Sequence, residues 1–168
     1  MTRFFVTICC HERKNLFRKT ELATSTTAIL KETCFSHCFR IYAYCFMPDH
    51  LHALLEGTQD SANLPQTIRA FKGAASAVAR RSGVRRLWQK GFYDHVVRSG
   101  ESMNRIAWYI LMNPVRAKMA KRARDWQFSD SMIPNWKRLE EPSEVYEPLW
   151  KVAAEAKAGG VNPPLRVR

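Results

Sequence analysis

The chain has 168 residues, of which 46% are hydrophobic and 25% charged, a size and composition that suit one compact domain with a short appendage. Lys and Arg number 27 against 15 Asp and Glu, and the resulting +12 attracts polyanions, nucleic acid first and an anionic membrane surface second, while it repels basic partners. Five cysteines without a Cys-x-x-Cys pair argue against a disulfide framework, and no apolar run approaches the roughly 20 residues of a membrane span, so the sequence predicts a cytosolic chain with reduced core thiols and no membrane partner.

In chain order, Arg3 to Cys10 is rich in aromatic and β-branched residues and reads as a strand. Glu21 to Cys38 has helical length, with Leu22, Ile29, Leu30, Cys34 and Cys38 directed inward. Phe39 to Phe46 alternates loosely as a second strand, Met47-Pro48-Asp49 turns the chain, and His50 to Glu56 forms a third strand that Gly57 ends. Asn63 caps a basic helix to Arg81, with Pro65 in its first turn and Gly83 beyond its end. Phe92 to Arg98 is a fourth strand, and Glu101 to Met112 a further helix. The order β-α-β-β-α-β plus a helix predicts an α+β chain with a ferredoxin-like antiparallel sheet, helices on one face, and an additional C-terminal helix. Residues 1–139 read as one domain, and Pro and Gly after Glu140 mark 140–168 as a C-terminal arm with partial disorder.

His50 and His52 flank Leu51, so on a strand both imidazoles point one way while Leu51 points the other. Two neutral imidazoles on one face suit a divalent metal; the alternative is a pair of exposed polar residues on a half-buried strand. Tyr109 and Asn113 lie four apart and share a helical face. A phenol can act as a covalent nucleophile and an Asn carbonyl as a hard metal ligand. Equally, Tyr109 suits a core position, and Asn113-Pro114 is a helix-start signal in which Asn113 caps Val115-Arg116-Ala117; spacing alone favours the cap.

These residues carry a resemblance. FMPDHLHALLEG (Phe46–Gly57) resembles the His-hydrophobe-His strand of single-tyrosine HUH transposases. Leu87–Ala120 is similar to the second signature of one branch, the REP-associated tyrosine transposases: Trp-Gln, an aromatic strand with a histidine, then Tyr109-Ile110-Leu111-Met112-Asn113-Pro114-Val115-Arg116. The likeness spans roughly Arg3 to Ser129 with both motifs in order. It implies that His50 and His52 bind a divalent metal (Mg2+ or Mn2+), that Asn113 stands at the third metal-linked position, and that Tyr109 is the nucleophile. It further implies a 5′-phosphotyrosine intermediate, hairpin-forming single-stranded DNA repeats as substrate, and a cytoplasmic, nucleoid-associated protein acting as a monomer or homodimer.

Charge patterning adds a DNA path. Arg69, Lys72, Arg80, Arg81, Arg85, Arg86, Lys90 and Arg98 occur with Asp94 as the lone acid among them, and Arg116 and Lys118 open a second cluster. His95, on the strand before the tyrosine helix, is a candidate proton acceptor or else a structural histidine. Trp88 reads as core. The competing functions are a non-catalytic single-stranded nucleic-acid-binding module of the same fold and a metal nuclease that uses water.

Overall fold

The computed structural model describes residues 1–143 together with 147 and 148. Five strands form one sheet: β1 (Arg3–Cys9), β2 (Phe39–Met47), β3 (His50–Gly57), β4 (Tyr93–Val96) and β5 (Ser129–Ser131), in the order β4-β1-β3-β2-β5. Every neighbouring pair is antiparallel. Helices α1 (Thr20–Ser36) and α2 (Leu64–Arg81) join the strands, while α3 (Met103–Leu111) and the short α4 (Asn113–Arg116) follow β4. The ferredoxin-like order expected from the sequence is therefore present, with β5 added at the β2 edge.

Both faces of the sheet are covered. Val6, Ile8, Leu51, Ala53 and Leu55 pack with Leu30 of α1 and Ile68 and Phe71 of α2. Phe5, Ala43, Cys45 and Leu54 pack with Ile106, Tyr109 and Ile110 of α3. The additional helix thus closes the face that α1 and α2 leave open, and helices do not stay on one side as the sequence pattern suggested. Strand β2 changes parity at a bulge between Ile41 and Ala43. Residues 39 and 41 face α1 and α2 before it, and Tyr44 and Phe46 do so after it, which explains the loose alternation of that segment.

Local signals account for the ends. Asn63 accepts a hydrogen bond from the Gln66 N–H at 3.0 Å, and Gly83, at φ +80°, follows the end of α2. Ser102, not Glu101, caps α3 by accepting from the Arg105 N–H at 3.4 Å. Strand β4 is shorter than the expected Phe92–Arg98. Helix α1 ends at Ser36, so Cys38 turns out of it at φ +58° and is half-buried, whereas Cys9, Cys10, Cys34 and Cys45 are buried thiols. Trp88 packs against Phe17 and Phe71, as a core residue should. Gly73 lies inside α2, and apart from its chain neighbours and the backbone of its own helix no atom stands within 4 Å of where a Cβ would be, although glycine costs a helix interior about 1 kcal/mol relative to alanine.

Most of the expected arm, residues 140–168, lies outside the described residues; at its start, Glu141 accepts a hydrogen bond from the Ala123 N–H at 2.7 Å and so stays with the domain. Among the described residues no helix is long and apolar enough to cross a membrane.

Candidate active site

β3 runs between β1 and β2, and the registers set Cys9 opposite His50 and Thr7 opposite His52. Both histidines project to the face that α3 covers, as strand alternation requires. Their Nε2 atoms face each other at 3.1 Å. Behind them, His50 Nδ1 donates to Asp49 Oδ1 at 2.6 Å, and His52 Nδ1 meets Thr7 Oγ1 at 2.8 Å. A carboxylate only accepts, so neutral His50 carries its proton on Nδ1 and turns an Nε2 lone pair toward His52. The Thr7 hydroxyl either donates or accepts, so His52 keeps a satisfied Nδ1 in either tautomer. When Nδ1 holds the proton in both rings, two lone pairs converge, an arrangement a cation stabilises; the carboxylate and hydroxyl behind the rings are the usual orienting partners of metal-bound imidazoles.

Arg13 completes this corner. Its Nε lies 3.2 Å from Asp49 Oδ2 and its Nη1 donates to Cys9 Sγ at 3.0 Å. Burial would raise the Asp49 carboxyl, but the His50 hydrogen bond and charge, with Arg13, outweigh it and hold the group below its ordinary value. Among the described residues no three His, Cys, Asp or Glu side chains are grouped to hold a metal, so further donors would come from other groups or from substrate oxygens.

The tyrosine arrives from α3. Phe5 bridges the rings, at 5.3 Å from His52 and 6.1 Å from Tyr109 between centroids, and His52 and Tyr109 are 6.3 Å apart. Tyr109 is only 1% exposed. The Arg116 guanidinium lies over its ring at 4.0 Å, a cation–π contact.

Asn113 does not act as the forward cap that its spacing favoured. Its side chain does not cap α4; Nδ2 turns back and donates to the Tyr109 and Ile110 carbonyls at 2.9 and 3.1 Å. Pro114 lacks the N–H that would bond the Ile110 carbonyl in a continuous helix, and the amide takes that place. Asn113 Oδ1, the atom a metal would need, accepts from Arg116 Nη2 at 2.9 Å. Asn113 thereby fixes both the end of the tyrosine helix and the arginine over the tyrosine.

The other expected residues divide. His95 Nε2 meets Glu101 at 2.9 Å, and the same carboxylate accepts from the Arg98 N–H at 2.8 Å, so this histidine braces the turn into α3. Lys72 is half-buried; its ammonium donates to the Gln89 and Gly91 carbonyls, both at 2.7 Å, and burial lowers its pKa. Arg69, Arg80, Arg81, Arg85, Arg86, Lys90, Arg98 and Lys118 are exposed. Arg80, Arg85, Arg86 and Lys90 share one groove of about 540 Å³ with Lys72, on the α2 side of the sheet. Sequence reasoning passed over the supporting roles of Thr7, Arg13 and Asp49; of these only Asp49, adjacent to His50, had a local signal.

Residues 3–113 match the family described as "Transposase IS200 like". The chain is 25% identical to a Haemophilus influenzae protein named as a REP-associated tyrosine transposase, across 98% of this chain and 91% of that one. It is 28% identical to the REP-associated tyrosine transposase of Escherichia coli K12, across 75% and 74% of the two chains. A solved structure of a REP-associated tyrosine transposase bound to a REP hairpin shares the fold, with a TM-score of 0.65 and 22% identity over 76% of this chain and 75% of that one.

The Asn113 network carries a stability prediction. Asn113→Ala removes the donor to two helix-end carbonyls and the acceptor for Arg116, and should destabilise the domain by about 1–3 kcal/mol in urea denaturation. A loss within a few tenths of a kcal/mol would show that water replaces the amide there.

Proposed function

The chain belongs to the IS200-like transposase family, and we propose that it cleaves and rejoins single-stranded DNA at hairpin-forming repeats through a covalent bond to Tyr109. The observation that carries this reading is the convergence of the His50 and His52 Nε2 atoms on the face against which Tyr109 packs. Its relatives bear the name of REP-associated tyrosine transposases, and one was solved on a REP hairpin, which supports an enzyme of this type with such a substrate.

In this account His50 and His52 hold a divalent ion, Mg2+ or Mn2+, with Asp49 and Thr7 fixing the two rings. When bound, the ion supplies charge neutralisation at the scissile phosphate. Tyr109 attacks the phosphorus and displaces the 3′-oxygen, leaving a 5′-phosphotyrosine and a free 3′-hydroxyl. One phosphate ester is exchanged for another, so rejoining is the reverse attack by a 3′-hydroxyl and needs no nucleotide cofactor. Arg116 sets a permanent positive charge against the ring where negative charge develops. Asn113 holds that arginine, acting on the nucleophile through it. Because Tyr109 is 1% exposed, attack requires the end of α3 with α4 to shift and admit a phosphate to the phenol. The break at Asn113-Pro114 supplies a joint there.

That burial also favours a second reading, a hairpin-binding domain that does not cut, in which Tyr109 is only core. Incubation with labelled hairpin DNA and Mn2+, followed by a denaturing gel, separates the two. The account predicts a protein–DNA adduct that disappears in Tyr109→Phe and weakens in His50→Ala, while Tyr109→Phe still binds the hairpin. Hairpin binding with no adduct would establish the binding domain, and cut DNA without an adduct would point to a water nucleophile.

Thr7→Val tests the histidine support separately. It leaves His52 Nδ1 without the hydroxyl, so Mn2+ affinity measured by calorimetry should fall about 10–100-fold. Unchanged affinity would remove Thr7 from the site.

A further inference from the structure

A second groove lies on the α1 side of the sheet, at the β5 edge. It encloses about 320 Å³ between the last turns of α1 and residues 130–132, with β2 beneath. Phe39, Ile41 and Tyr44 of β2 form its floor and belong to the layer under α1 and α2, so the sheet stands between this groove and the histidine pair. We propose that the groove binds an unpaired segment of nucleic acid, with a base stacked on Phe35 and the adjoining phosphates against Lys31 and Arg40.

Phe35 is the most informative residue. Helix α1 buries Leu22, Ala23, Thr26, Leu30, Thr33 and Cys34. Phe35 falls beside that stripe and is 86% exposed. A lone exposed ring would need no explanation, but this one stands on the rim of a groove with an apolar floor, and Met132, half-exposed, stands on the opposite rim. The polar part of the rim is cationic. Lys31 lies one turn before Phe35, with its ammonium 5.6 Å from the centre of the Tyr44 ring. Arg40 is held by Glu56, whose Oε2 accepts from its Nη1 at 3.3 Å, and half of its side chain remains exposed. A flat ring in water with cations beside it is the combination by which proteins hold unpaired bases and their phosphates.

An apolar peptide is the other class of occupant for such a groove, and the β5 edge does not favour it. Backbone hydrogen bonds of Phe128 and Met132 to β2 leave Ser131 facing outward by alternation. Its N–H already donates to Asp130 Oδ1 at 2.9 Å, so the edge offers an incoming strand no donor there. Asp130 is the only acid among the described residues that line the groove, and the same oxygen also accepts from Trp136 Nε1 at 3.1 Å. Two cations against one engaged carboxylate give the rim an excess of positive charge, which suits phosphates. The site does not depend on cleavage by Tyr109, and a protein that only binds hairpins would keep it.

Fluorescence anisotropy of labelled oligothymidylate, which forms no hairpin, tests this in EDTA, where no divalent ion is available to the histidines. Phe35→Ala alters an exposed side chain and should leave Tm nearly unchanged, yet weaken oligonucleotide binding about 5–100-fold, and Phe35→Trp should keep it. Lys31→Ala should lower the slope of log affinity against log salt by about one. An oligonucleotide carrying iodouracil should photocrosslink to Phe35 in the wild type. Unchanged affinity in Phe35→Ala, or crosslinks confined to aromatic residues outside the groove, would overturn the proposal. So would loss of self-association in Phe35→Ala, read by sedimentation, with oligonucleotide binding intact, since the rim would then be an interface between copies. Oligonucleotide binding through Phe35 in a protein that never forms an adduct with hairpin DNA would support the groove and refute only the cleavage reading.

Discussion

The site depends on the register of β3. That strand is hydrogen-bonded on both edges and buried on both faces, so each residue has one assigned direction. Leu51, Ala53 and Leu55 fill the layer under α1 and α2, and Leu54 joins the layer under α3. A slip of one residue would drive His50 and His52 into the first layer and three apolar side chains out of it. Burial of the aliphatic residues therefore fixes the imidazoles, and the same register brings Thr7 beside His52.

A pair of imidazoles so placed needs polar partners, because an unsatisfied ring nitrogen in a packed layer is costly. Asp49 and Thr7 meet that need from the adjacent turn and strand, and His50, with Arg13 behind it, holds the Asp49 carboxyl below its ordinary value. On the far side, the packed Phe5 ring sets the spacing to Tyr109. The remaining positive charge is divided by role. Arg116 serves the tyrosine ring and Lys72 a loop, while the exposed arginines and lysines give the surface a field of the sign that attracts polyanions.

Much of this frame was legible in the sequence. HLHALLE alternates on a strand that Gly57 closes, Asn63 and Gly83 bound α2 by ordinary capping chemistry, and the order of elements specified the sheet. What was not legible depended on partners distant in sequence or on the direction of a side chain. Thr7 and His52 are 45 residues apart and meet only through strand pairing. The β2 bulge left no mark beyond an irregular alternation. Asn113 was expected from its spacing to cap forward, but its amide turns backward to the Ile110 carbonyl, which the Pro114 nitrogen cannot serve. Lys72 looked like its cationic neighbours on α2 until the fold placed two loop carbonyls over it.

The central claim is that His50 and His52 act as one ion-binding unit beside Tyr109. Its most direct test is a Mn2+ titration of protein labelled with 15N-histidine, following paramagnetic broadening of the side-chain nitrogens. The account predicts that the His50 and His52 signals broaden first and together while His11, His37 and His95 stay sharp. Sharp His50 and His52 signals at metal levels that broaden the other histidines would contradict it.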